Sequence, residues 1–336
     1  MYQENTENYG KLNGGIGPKV VVIGGGTGLS VVLRGIKRFT ENVTAIVTVA
    51  DDGGGSGIIR EELNVLPPGD IRNCILAMSD NEGVMEELLK FRFSDGRLSG
   101  QSMGNLIIAA LCEIFGNFET AVEKMHDILK IKGMVVPVTG CDVALCAELK
   151  NGEIIRGESK IPNAVIEKSS PIKRVFLEPS YPEPVGRAIK AISAADIILM
   201  GPGSLYSSII PNLLVGGISN SIQVSNAIKI VVCNVMTQRG ETDDYTVTDY
   251  VDSIEEYLGK GILEFVMVNN KILHADQLLP YFSEGTRQML MTNEDINNME
   301  VKGITVIENN FINVKNGLIR HDAERLTNVL IGLMRY

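Results

Sequence analysis

The chain has no tryptophan, and Phe, Trp and Tyr together supply only 5% of its 336 residues. A platform that stacks successive bases of a single strand needs several exposed rings, so this scarcity argues against that kind of nucleic-acid binding. Positive charge is short as well: 31 Lys and Arg face 41 Asp and Glu, a formal net charge of −10. An acidic surface repels phosphate backbones and anionic lipid, which makes nucleic acid and membrane surfaces poor partners. A small phosphorylated ligand survives this exclusion, because backbone N–H groups can hold phosphate without basic side chains.

Cysteine is sparse and odd in number. Cys74, Cys112, Cys141, Cys146 and Cys233 form no Cys-x-x-Cys pair and sit mostly within apolar runs. They read as buried reduced thiols of a cytoplasmic protein, not as a disulfide framework. The three histidines, His126, His274 and His321, show no metal-ligand spacing. No apolar stretch approaches the roughly 20 residues that cross a bilayer. The polar, glycine-rich first 17 residues lack the apolar centre of a secretion signal. The expectation is a soluble, cytoplasmic chain without membrane insertion, with a disordered tail over 1–17 and a single α/β domain over 18–336.

What the chain does have is apolar residues and glycine, at 44% hydrophobic and 35 glycines. Lys19–Ile23 is a Val- and Ile-rich run of the kind that forms a strand buried on both faces. It breaks at Gly24-Gly25-Gly26-Thr27-Gly28, and Leu29, Val32, Leu33 and Ile36 then follow at helical spacing. Val43–Ala50 reads as the next strand, ending in Asp51-Asp52 and the cluster Gly53–Gly57. Strand, glycine turn, helix and strand make a βαβ unit, which predicts a parallel, Rossmann-like sheet with helices on both faces. Residues 58–131 carry helical spacing and read as an insertion, or as helices laid over one end of the sheet. Met134–Val138 and Val143–Leu149 look like strands, with a hairpin turn at Asn151-Gly152. The α/β pattern returns with strands at Asp196–Met200, Lys229–Asn234 and Leu263–Asn269, and a last helix capped by Asp322.

Glycines between a strand and a helix let backbone approach a phosphate, and the helix start offers free N–H groups and partial positive charge. The first loop is neither a dinucleotide fingerprint, since Leu29 stands where a third Gly is expected, nor a Walker loop, since no Lys-Ser/Thr follows. Asp51 and Asp52 stand where an acid accepts hydrogen bonds from a ribose diol; they could instead hold a metal or cap a turn. In Pro67–Asn73, Asp70 can cap a helix, and Arg72 is either a phosphate contact or a surface cation. Ser102 or Asn105 caps the helix beginning near Leu106. Gly201-Pro202-Gly203-Ser204 follows a strand directly, so two glycine loops stand at strand ends, where α/β folds bind ligands. No nucleophile elbow or catalytic triad can be read, and both catalytic residues and metal ligands stay unassigned.

The segments GGGTGLSVVLRGIK, VADDGGGSG, PPGDIRNCILA, GQSMGNLIIAAL, GPGSLYSSIIPNLL and CNVMTQRGETDDYT, in this order, resemble the YvcK-like gluconeogenesis-factor family, part of a superfamily with the CofD-like 2-phospho-L-lactate transferases. The resemblance runs from about Lys19 to the C-terminus. It implies a Rossmann-like fold, binding of UDP-sugars such as UDP-N-acetylglucosamine, and a role in cell shape and envelope synthesis during gluconeogenic growth, with envelope-synthesis proteins as partners. It implies no secured catalytic reaction. Carried onto this chain, it puts Gly25, Gly26, Thr27, Gly28 and Leu29 with Gly201, Gly203 and Ser204 at the diphosphate. Asp51, Asp52, Asn105, Asn234, Thr237 and Gln238 then face the ligand, and Arg320 and Tyr281 add contacts. The chain departs from the family pattern at Gln101 (His expected), Met103 (Phe), Gly55 (Ser), Ile58 (Arg) and Arg239 (Pro).

Two other readings stay open. One is a CofD-type transferase acting on a nucleotide diphosphate ester, with Asp51 or Asp52 holding a divalent metal such as Mg that accompanies the nucleotide. The other is an NAD-dependent oxidoreductase, permitted by an acid about 20 residues after the glycine loop. A homo-oligomer is expected because closed symmetric assemblies are common.

Overall fold

The structure is a computed structural model and describes residues 17–80, 83–315 and 317–333. All but Gly17 of the expected tail lies outside the described residues. The chain order is β1 (Val20–Gly24), α1 (Gly26–Ile36), β2 (Val43–Val47), then helices α2 (Gly54–Leu63), α3 (Gly69–Met78), α4 (Val84–Lys90), α5 (Met103–Phe115) and α6 (Phe118–Leu129). Next come β3 (Met134–Pro137) and the antiparallel trio β4 (Ala144–Leu149), β5 (Ile154–Arg156) and β6 (Ile172–Glu178). The second half supplies β7 (Ile197–Met200), β8 (Ile228–Val232), β9 (Phe265–Asn269) and β10 (Thr305–Asn309), with helices between them. It ends in the hairpin β11 (Ile312–Lys315) and β12 (Leu318–His321) and the helix Ala323–Leu333.

Seven strands form one sheet in the order β10-β9-β8-β7-β1-β2-β3, and every pair is parallel. β1 and β2 are buried at every position, which is why they read as unbroken apolar runs: helices cover both faces of such a sheet. From β1 the chain winds outward to β2 and β3. It then returns to β7 on the other side of β1 and winds away through β8, β9 and β10. Right-handed crossovers in opposite directions put their helices on opposite faces. Accordingly α1 packs on α3 and the Ala323–Leu333 helix, while Gly186–Ala194 packs on Ile218–Val224 and through it on Val247–Leu258.

The border between β1 and β7 is thus a switch point, where adjacent strands send their connections apart and leave a crevice at their carboxyl ends. One core of buried side chains runs through both halves, from Val20 to Leu330. A second, small cluster lies under the β11–β12 hairpin, from Val235, Met236, Leu273, Leu278, Ile312 and Ile319.

The helical region differs in detail from its expectation. It begins at Gly54, so the second glycine cluster is the first turn of α2 and not a free loop. Gly57 explains the residue choice there: a Cβ would press on the Asp52 carbonyl. Within this region α3 packs on β2 and β3 and α6 packs on β3 as crossover helices, whereas α4 packs on α5. Among the described residues no single helix is long and apolar enough to cross a membrane.

Candidate functional site

The two glycine loops meet. A Cβ on Gly28 would lie 2.6 Å from the Pro202 carbonyl oxygen and 3.3 Å from the Gly203 nitrogen, so only glycine lets α1 start against the second loop. Gly26 sits at φ +67°, a left-handed conformation that suits glycine. Its N–H donates to Asp70 Oδ2 at 2.6 Å. Asp70 therefore does not cap its own helix; it crosses to α1 and lays a carboxyl on the positive end of that helix. Thr27 and Gly28, also in the first turn of α1, have no helical partner for their N–H groups, and the N-cap residue, Gly25, has no side chain to accept from them.

Asn234, just after β8, clamps the second loop. Its Oδ1 accepts from Gly203 N at 3.1 Å and its Nδ2 donates to Gly203 O at 2.8 Å. The same Nδ2 donates to Gln238 Oε1 at 3.1 Å. Ser204 Oγ donates to Glu241 and accepts from Ser207 Oγ at 2.7 Å. Thr237 and Arg287 exchange two hydrogen bonds, Thr237 N to the Arg287 carbonyl and Arg287 N to Thr237 Oγ1. These segments line one cleft of about 690 Å³, a size that suits a small-molecule ligand. The hairpin β11–β12 forms its far wall, where Tyr281 Oη accepts from Ile319 N at 2.8 Å and keeps its own O–H to donate. Arg239 and Arg320 reach the cleft, and neither forms an ion pair among the described residues.

Eleven of the residues singled out in the sequence line this cleft: Gly25, Gly26, Thr27, Gly28, Gly203, Ser204, Asn234, Thr237, Gln238, Tyr281 and Arg320. Five do not. Leu29 is wholly buried in the core beneath α1. Gly201, at φ +82°, donates its N–H to Ile23 O and shapes the strand end behind the loop. Asn105 is buried and accepts from Arg72 Nη1 at 2.7 Å. Arg72, which read as a phosphate contact or surface cation, is itself buried and donates to Ser102, Asn105 and Asn73. Ser102 is the cap of α5, accepting from Asn105 N at 3.2 Å. Asp51 accepts from Gly53 N at 2.9 Å, two residues on, whereas Asp52 accepts from Ser159 N at 2.8 Å, 107 positions along the chain, so each is occupied with backbone.

Beside the cleft lies a run of carboxyls that sequence reading largely missed. Burial pushes Asp70 up to about 6, against the pull of the Gly26 N–H. Burial, with Asp51, Glu241 and Asp52 nearby, pushes Glu158 up to about 7, while Ser207 opposes it. Burial also raises Asp51 and Glu241. These groups come from segments far apart in the chain, and no local pattern marked Glu158 or Glu241. Among the described residues no three His, Cys, Asp or Glu side chains converge to hold a metal. A Mg²⁺ ion needs only one or two carboxylates beside its waters and a phosphate, and Asp51 or Asp70 could serve in that way.

A doubly wound parallel sheet with two glycine loops facing each other across its switch point defines a class: α/β proteins that take a small ligand at the carboxyl edge of the sheet. The chain belongs to the CofD family, whose profile, described as 2-phospho-L-lactate transferase CofD, matches residues 20–312, and within it to the gluconeogenesis factors. A protein of Thermoanaerobacterium thermosulfurigenes is 51% identical over 328 residues, covering 98% of this chain and 99% of that one. The gluconeogenesis factor of Bacillus subtilis (strain 168) is 43% identical over 319 residues, covering 95% and 98%. The crystal structure of a UPF0052-family protein from Bacillus halodurans superposes with a TM-score of 0.90 at 41% identity, covering 94% of this chain and 100% of that one.

Proposed function

We propose that this chain is a cytoplasmic UDP-sugar-binding regulatory protein that serves cell shape and envelope synthesis during gluconeogenic growth. The observation that carries the ligand class is the meeting of the two glycine loops at the start of α1, with Arg239, which donates only to the Glu284 carbonyl, and Arg320 both without an ion pair at the cleft among the described residues. A diphosphate fits that arrangement. Free N–H groups and the α1 dipole stabilise its charge, and a guanidinium donates to its oxygens in pairs. The cleft extends past the loops to Tyr281 and the β11–β12 hairpin, which leaves room for a nucleoside or sugar. The physiological role rests on membership in the gluconeogenesis-factor family and on the resemblance stated above.

Isothermal titration with UDP-N-acetylglucosamine, UDP-glucose and NAD, with and without magnesium, tests the ligand. Saturable binding of a UDP-sugar with NAD silent is expected. Arg320→Ala is exposed and unpaired, so the fold should tolerate it; the expected weakening is roughly tenfold or more, the scale of a lost charge-assisted hydrogen bond. Binding of NAD alone, or an unchanged affinity in Arg320→Ala, overturns the site.

One observation favours a second reading, a CofD-type transferase. Glu158, pushed up to about 7, stands near Ser207 and Glu241, and a carboxyl poised near neutrality can give or take a proton. No magnesium-dependent turnover across a panel of nucleotide diphosphate esters would remove this reading.

A further inference from the structure

His321 ends β12, opposite Ile312 of β11, and forms part of the cleft wall beside Arg320 and Ile319. The residue as a whole is half-buried. Its two ring nitrogens are nevertheless both shut off from solvent, and neither has a hydrogen-bond partner. Folding has therefore stripped water from one donor and one acceptor and replaced neither, an arrangement native proteins avoid unless the site serves something else. Burial alone holds the imidazole's basicity down, to about 4, with no charged neighbour contributing. At neutral pH the ring is uncharged, with one nitrogen donating and the other accepting.

We propose that His321 is a specificity residue of the cleft, and that, when ligand binding bares the ring nitrogens otherwise shut off from solvent, it hydrogen-bonds an uncharged ligand group that can both donate and accept, such as a hydroxyl or an imide. A phosphate is the wrong partner: it offers acceptors only and rewards a cation. The position agrees, since the diphosphate loops lie on α1 and after β7, whereas His321 belongs to the opposing hairpin. This inference rests on the nucleotide-sugar reading and deepens it. The group it recognises is the part of the ligand beyond the diphosphate, whether nucleoside or sugar.

The test compares wild type, His321→Phe and His321→Gln in titrations with inorganic pyrophosphate, UDP and UDP-N-acetylglucosamine. Gln keeps a donor and an acceptor and so separates lost hydrogen bonding from damage to the wall. His321→Phe should weaken UDP-N-acetylglucosamine by roughly tenfold to a hundredfold, leave pyrophosphate unchanged, and be largely rescued in His321→Gln. Loss shared by UDP assigns the contact to the nucleoside; loss confined to the sugar nucleotide assigns it to the sugar. Three outcomes overturn the proposal: Phe binding as wild type does, Gln falling as far as Phe, or pyrophosphate weakening in parallel. Failure of the nucleotide-sugar reading looks different, because wild type itself then binds neither UDP nor UDP-N-acetylglucosamine, and this proposal falls with it.

Discussion

Asp70 shows how a single side chain can set the state of the cleft. Its carboxyl sits on the Gly26 N–H that an incoming phosphate would otherwise use, and burial raises its pKa from an ordinary 3.8 to about 6. A folded-state pKa above the unfolded one means that the folded protein holds the proton more tightly. The stabilising contribution is full below about pH 4 and is lost as pH rises through 6, roughly 3 kcal/mol in all by linkage. Asp70→Asn keeps an acceptor for Gly26 and loses the ionisation. Urea unfolding at a series of pH values should show the variant gaining on wild type between about pH 4 and 7. Parallel curves would mean that Asp70 ionises without cost. The sequence marked the glycines at this spot but gave Asp70 the wrong partner: its bond spans 44 positions, and nothing local distinguishes a cap of its own helix from a bridge to another. His321 and Glu241 escaped for the same reason, since burial is a property of the packed chain.

Among elements, the helix starts and strand runs were largely legible. The runs at β1, β2, β7, β8 and β9 stand within a few residues of their expected limits, because a parallel strand covered on both faces must be apolar throughout. The cap at Asp322 is also as read, accepting from Arg325 N at 3.0 Å. Arg72 is where composition misled. A guanidinium is usually exposed, yet this one ties α3 to the first turn of α5 through Ser102 and Asn105. Truncating it leaves buried acceptors unpaired, and Arg72→Ala should lower stability by about 3 kcal/mol, the price of breaking such a network from one side. Equilibrium denaturation measures this. A loss under about 0.5 kcal/mol, the scatter of ordinary surface substitutions, would show that the network carries little.

At the scale of the molecule, the strand order was the part the sequence could not supply. The βαβ pattern announced a parallel sheet and two glycine loops at strand ends. That β7 pairs with β1, and so brings those loops into contact, depends on a return path through β4, β5 and β6 that no periodicity encodes. Since one core spans both halves, heat should unfold the described chain in a single transition. A ligand held by loops from both halves should raise that transition as a unit, by about 2.7 kcal/mol of stability at a hundredfold excess over its dissociation constant. Differential scanning calorimetry with and without UDP-N-acetylglucosamine reads both. Two separate peaks, only one of them moving, would show that the halves melt independently.

The cleft also has an order of assembly written into it. Its first wall is coded by residues 25–28, its second by 203–204, and its last by Arg320 and His321 at the end of β12. On a ribosome the glycine loops emerge long before the hairpin that closes them in. A growing chain can therefore fold its first strands early, yet its ligand site stays incomplete, and so unoccupied, until β12 has been made.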